Sequence, residues 1–179
     1  MKRWALLCGV MLLTAAAASA QDISKVEVFG GYSYVRVSLR GANTSTNLNG
    51  GSASVTYNPV NWIGLVADFG GYHGGYSFSG GGINGEVYTY MFGPKTSFRL
   101  GRFTPFVQTL FGGAHTSSGS AFGSENSFAM ASGGGLDLNA TSHVGVRLVQ
   151  ADYLLTTLND GVNNRQNNLR LSAGVVLRW

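Results

Sequence analysis

The residues best suited by type to do chemistry are His115, Ser117 and Glu125. A histidine two positions before a serine, with an acid nearby, has the parts of a hydrolytic triad: imidazole as base, hydroxyl as nucleophile, carboxylate to orient the ring. Serine is abundant across residues 115–127, so a chance pairing in a polar loop explains the same letters and is the preferred reading. Gly80-Gly81-Gly82-Ile83-Asn84-Gly85 has the G-x-G-x-x-G spacing. A dinucleotide site needs a strand before that turn and a helix N-terminus after it, to hold the pyrophosphate. Neither signal is present, and the segment reads as loop glycines. His73 and His143 fall at opposite ends of the architecture developed below, too far apart to share a metal. No cofactor and no metal are expected.

A second group is Glu27, Asp68, Asp137 and Arg147, which alternation places on the side of their strands opposite the large apolar residues. Charges that share a narrow interior must pair or find hydrogen bonds. A structural salt-bridge core is the preferred reading, and a gate in a narrow polar channel is the functional alternative.

Composition limits what can position these residues. The chain has 179 residues, 44% hydrophobic and 12% aromatic but only 11% charged, with 27 Gly and 3 Pro. A soluble domain carries about 25% charged residues. Disordered chains are charge-rich and aromatic-poor, which this one is not. Beyond residue 20 there is no apolar run of the roughly 18 residues that a spanning helix needs. Residues 1–20 read as a cleaved secretory signal: Lys2 and Arg3, then an apolar stretch from Trp4 to Ala18, then the small-residue site Ala18-Ser19-Ala20. Cutting there leaves one domain, 21–179, without the only cysteine, Cys8, and with 10 basic against 8 acidic residues. Disulfides and thiolate chemistry are thereby excluded. The basic residues are not clustered, so no nucleic-acid partner is implied.

The clearest periodicity closes the chain. Leu169, Leu171, Ala173, Val175, Leu177 and Trp179 alternate with Arg170, Ser172, Gly174, Val176 and Arg178, a two-residue period that gives a strand one apolar face. Seven further strands are expected over Lys25–Val35, Gly51–Tyr57, Trp62–Gly70, Glu86–Phe98, Phe106–Ala114, Ser127–Leu138 and Val144–Tyr153. The facing of 86–98 and 106–114 stays open. In the seventh strand, Val144, Val146 and Leu148 are set against Gly145, Arg147 and Val149.

Connections alternate between short (Asn58–Asn61, Arg99–Thr104, Asn139–His143) and long and polar (Arg36–Leu48, Gly71–Gly85, His115–Asn126, Thr156–Asn167). That pattern belongs to bacterial outer-membrane barrels, with short periplasmic turns and longer outer loops. The expected fold is all-β, an eight-stranded antiparallel up-and-down transmembrane β-barrel with both termini periplasmic. A soluble exported lipocalin-like binding barrel is the structural rival. It would need a polar exterior around an apolar cavity.

At this point the chain resembles the eight-stranded outer-membrane β-barrel superfamily of the opacity proteins and the outer membrane protein A transmembrane domain. The likeness is carried by Val28-Phe29-Gly30-Gly31-Tyr32-Ser33-Tyr34, Gly93-Pro94, Thr104-Pro105-Phe106, Gly133-Gly134-Gly135-Leu136-Asp137, Val146-Arg147-Leu148 with Asp152-Tyr153, and Val175-Val176-Leu177-Arg178-Trp179. The resemblance implies outer-membrane lipids and lipopolysaccharide as surroundings. It also implies an assembly signal, read by the barrel-assembly machinery, in the strand bearing Leu171, Ala173, Val175, Leu177 and Trp179. A monomer is expected, with a structural or adhesin-like role and an extracellular ligand, if there is one, at the long loops. General diffusion porins use 16 to 18 strands and are wider. His115-x-Ser117 also resembles the His-x-Ser element of outer-membrane lipid A deacylases. That likeness departs from their pattern in having Ser118 where Asn would follow, and in placing Glu125 in a loop where their acid is on a strand. A lipid A hydrolase is therefore the enzymatic alternative.

Overall fold

The computed structural model describes residues 24–39, 44–78, 81–118, 124–157 and 166–179. Eight strands run in chain order: β1 (Val26–Leu39), β2 (Thr44–Val60), β3 (Ile63–Phe78), β4 (Gly81–Ser97), β5 (Phe103–Ser118), β6 (Ser124–Asn139), β7 (Val144–Thr156) and β8 (Gln166–Arg178). Each pairs antiparallel with its neighbours, and β1 pairs with β8 to close the barrel. Closure removes the free edges that an open sheet would present.

The registers fix the shape. Following pairs from Val28 through Val55, Ala67, Phe92, Phe111, Met130, Leu155 and Asn167 returns to β1 at Ser38, ten residues further along. Eight strands with that stagger tilt about 40° from the barrel axis and leave an interior just wide enough for side chains.

The two faces are reversed relative to a water-soluble protein. Tyr57, Leu65, Phe69, Phe92, Val107, Phe111, Val146, Val175 and other large apolar side chains point outward and are exposed, whereas Glu27, Asp68, Lys95, Asp137, Arg147, Asp152, Arg170 and Arg178 point inward and are buried. This opposes the polar exterior that the lipocalin-like alternative requires.

Several expectations change. The strands extend well beyond the apolar segments seen in the sequence, and most of 36–48, 71–85 and 115–126 lies in strand rather than loop. Glu125 is accordingly on β6, paired with Thr116, and not in a loop. The alternation of connection lengths fails with it, because only residues 40–43, 79–80 and 119–123 separate those strands. Strands that continue past the apolar band into water no longer need an apolar outer face, so their polar composition imitates a loop. In β7 a bulge sets Leu148 and Val149 together between the Arg147–Gly174 and Gln150–Ser172 pairs. Two residues then oppose one, and the phase of the strand flips. Val149, expected inside, is exposed, and Gln150 and Asp152 are buried instead. The open facings resolve with Lys95 and Met91 of β4, and Phe106, Gln108 and Leu110 of β5, inside. The expected signal peptide, residues 1–20, lies outside the described residues.

Candidate functional site

The lumen divides into two regions along the barrel axis. The first begins at the end where Val26 and Trp179 exchange backbone hydrogen bonds. Here Glu27 of β1 accepts from Lys95 Nζ at 2.9 Å, Arg99 Nη2 at 3.1 Å and Arg178 Nε at 3.4 Å. Arg178 reaches Asp137 with Nη2 at 3.1 Å and Asn139 with Nη1. Arg147 holds Asp137 through two bonds, Nε to Oδ1 at 2.8 Å and Nη2 to Oδ2 at 3.2 Å. Such two-point pairs are directional as well as strong. The Arg147 guanidinium lies 4.2 Å from the Phe29 ring centre and 4.4 Å from that of Phe106, so its faces meet π-electron density where its edges meet the Asp137 carboxylate and the Gln150 amide. Gly135 makes the room: a Cβ there would fall 2.7 Å from the Phe106 ring.

Further along the axis, Arg170 of β8 spans the lumen, donating to Asp68 at 2.7 Å and to Asp152 at 2.8 and 3.0 Å. Gln150 joins the two clusters, accepting from Arg147 and donating to Asp152, both at 2.6 Å. The buried set contains four acids (Glu27, Asp68, Asp137, Asp152) and four cations (Lys95, Arg147, Arg170, Arg178), so its charge sums to zero. Balance among the fully buried members, with the partly exposed Arg99 at the rim as a fifth cation, is how charges remain in a space this narrow.

The second region, toward the opposite end, is mainly apolar, with a buried polar pair, Asn168 donating to Thr156 at 3.3 Å. Val35, Val37, Leu48, Tyr72, Ala114, Ala129 and Leu154 pack into one buried cluster that also takes in Leu110 and Met91. The four carboxylates of the lattice are buried and hold cations, and do not face open space.

On the outside of this second end, tyrosines form a polar collar. Tyr32 donates to Asn49 at 2.6 Å, Tyr34 to Asn47 at 2.7 Å, Tyr153 to Asn167 at 2.6 Å and Tyr88 to Glu86 at 3.0 Å. Rings with one apolar and one wet end mark the boundary of an apolar zone.

The sequence-derived residues fall as follows. Glu27, Asp68, Asp137 and Arg147 all point into the lumen and belong to one lattice. Its other members, Lys95, Arg99, Asp152, Arg170 and Arg178, were absent from the expected set. Arg170 and Arg178 were legible, since both sit on the inward phase of the best-defined strand. His73 lies 3.9 Å from Glu86 on the outer face of β3 and β4. His115 Nδ1 is 2.8 Å from Asn126 Oδ1, so a neutral amide occupies the ring nitrogen that an acid would hold in a triad. Ser117 pairs with Ser124 and Glu125 with Thr116 in the ladder, while the side chains of Ser117 and Glu125 lie outside the described ones. Among the described residues no group of three or more His, Cys, Asp or Glu is placed to hold a metal ion. Leu171, Ala173, Val175 and Leu177 share the outward face of β8, and Trp179, one residue past its end, is exposed as they are.

No family model and no curated protein sequence matches the chain. Solved structures do. Neisserial surface protein A is 17% identical, with 89% of this chain matched to 100% of that one at a TM-score of 0.69. Ail, the attachment invasion locus protein of Yersinia pestis, solved with the heparin analogue sucrose octasulfate, is 20% identical over 86% of this chain and 97% of its own, TM-score 0.61. The outer membrane protein OprG from Pseudomonas aeruginosa is 14% identical over 88% and 99%, TM-score 0.54. The fold is that of these eight-stranded outer-membrane β-barrels.

Proposed function

We propose that this chain is an integral protein of a Gram-negative outer membrane with a structural or surface-interaction role. One observation carries the reading: the outward face is a continuous belt of exposed large apolar side chains, while the charged residues named above are buried in the lumen. In water such a belt would drive association; against lipid tails it is the stable arrangement. The strands, of 13 to 17 residues, exceed the roughly 9 to 11 needed to span, so they extend beyond the bilayer.

In this reading the end where Val26 and Trp179 pair is periplasmic, and the tyrosine collar lies at the outer leaflet, in contact with lipopolysaccharide. The protruding hairpins are then the surface that meets extracellular partners, a role supported by the likeness to an attachment protein. The outward residues of β8, with Trp179 beyond its end, would be read by the barrel-assembly machinery, and the barrel acts as a monomer. The lattice of ion pairs serves as a core and not a gate, since apolar side chains pack the lumen beyond it. Catalysis is not part of the proposal: His115 is engaged with Asn126, a neutral partner.

Gel mobility of the protein from isolated outer membranes, with and without boiling, tests the reading. A closed detergent-resistant barrel migrates differently before boiling. Release without detergent, and a single mobility, would refute it.

A further inference from the structure

The three short connections at the end bearing Val26 and Trp179 differ in kind. Residues 61–62 and 140–143 carry no Lys or Arg, whereas Phe98-Arg99-Leu100-Gly101-Arg102-Phe103 alternates apolar and cationic residues across its tip. Gly101 at φ 61° supplies the left-handed step, and Leu100 and Phe103 exchange backbone hydrogen bonds across it. The result is a tight two-residue hairpin tip closed by a backbone pair.

Those side chains divide by chemistry. Phe98, Leu100 and Phe103 are exposed, Leu100 at 66%, and Trp62 of the adjoining turn is exposed beside them, its carbonyl accepting from Ser97 N at 2.9 Å. Arg99 is fastened by its bonds to Asn61 O at 2.6 Å and Glu27 at 3.1 Å, with 21% of its side chain still exposed. Arg102 is fully at the surface, and its side chain makes no hydrogen bond or ion pair among the described residues. The other exposed titratable side chains described at this end, Lys25 and His143, are also bases, and no exposed acidic side chain accompanies them. Acidic Glu86, by contrast, is exposed at the collar end.

We propose that the 98–103 hairpin tip, with Trp62, is a binding site for the headgroup of an anionic phospholipid in the leaflet at the short-turn end of the barrel. Phe98, Leu100, Phe103 and Trp62 lie along the acyl chains, and Arg102, with the exposed part of Arg99, takes the phosphate. A guanidinium suits this role because its donors meet phosphate oxygens in pairs. The inference rests on the membrane-spanning reading above.

The test uses the full mature chain folded into phosphatidylcholine vesicles containing trace spin-labelled lipids. The fraction of each label immobilised at the protein surface gives the relative affinity of phosphatidylglycerol over phosphatidylcholine. A basic residue near a charged headgroup gives a preference on the order of two- to fivefold at low ionic strength, which salt reduces. Arg102→Glu should remove that preference, Arg102→Lys should retain most of it, and Arg36→Glu, an equal change of net charge at the collar end, should leave it intact. All four proteins are checked for the gel shift on boiling. Wild type that preferentially immobilises neither lipid overturns the proposal, as does Arg102→Glu that keeps the preference. Equal losses in Arg102→Glu and Arg36→Glu overturn it too, since they would report net charge and not this turn. Wild type that fails to enter vesicles at all would overturn the membrane-spanning reading itself, a separate result.

Discussion

The two ends of the lumen solve the same packing problem by opposite means. Toward the short turns, Glu27, Asp137, Arg147, Arg178 and Lys95 fill the space with paired charge; toward the collar, Val35, Val37, Leu48 and Leu154 fill it with hydrocarbon. The difference matters for what each end tolerates. A charge lattice depends on every member, because removing one leaves a buried partner uncompensated, whereas an apolar cluster loses only transfer energy and the volume left behind.

Breaking the lattice should therefore have the largest effect. Arg170→Met removes the one cation that, among the described residues, both Asp68 and Asp152 contact, and should destabilise the barrel by about 4 kcal/mol, read from the urea midpoint in lipid vesicles. A loss below about 1 kcal/mol would mean that water or lipid headgroups reach those carboxylates. On the apolar side, Leu110→Ala, at a fully buried position, should cost about 3 kcal/mol by the same measurement. Replacing the Arg170 group as a unit, with Asp68→Leu, Asp152→Leu and Arg170→Met together, sharpens the contrast. The triple variant should be more stable than Arg170→Met alone, because both carboxylates that Arg170 held are removed with it, while Lys95, Arg147 and Arg178 keep their bonds to Glu27 and Asp137. At the collar, Tyr153→Phe loses a single hydroxyl bond to Asn167 and should cost about 1 kcal/mol or less. Finally, Ser117→Ala should leave the lipid A mass spectrum of the producing cells unchanged; a change in acylation would restore the hydrolase reading.

The same contrast explains what the sequence disclosed. Where the lumen is polar, each strand alternates apolar with polar residues, and β2, β3 and β8 were legible with their facing. Where the lumen turns apolar, that contrast fades or inverts. In β1, Glu27 and Ser33 point inward near the first end, yet further along Val35 and Val37 are buried while Arg36 is exposed. Residues 36–48 consequently read as loop. In β5 the buried Phe106 and Leu110 each adjoin an outward apolar residue, Val107 and Phe111, so no period-2 signal fixes the facing. The bulge at Leu148 and Val149 hid Asp152, because a phase flip within a strand leaves no mark on composition. Lys95 was hidden by the unresolved facing of β4. The four lattice residues that were named came from stretches where alternation was strong.

The central claim is that the outward belt meets lipid and the charged lumen does not. The chain after residue 20 contains no cysteine, so single cysteines report cleanly on position. Leu65→Cys, Val107→Cys and Val175→Cys, each spin-labelled in vesicles, should show high accessibility to oxygen and low accessibility to a water-soluble nickel complex. Labels at the exposed hairpin residue Asn47 should show the reverse. Ready access of the nickel complex to the three belt positions would contradict the account and describe a barrel whose outer face meets water.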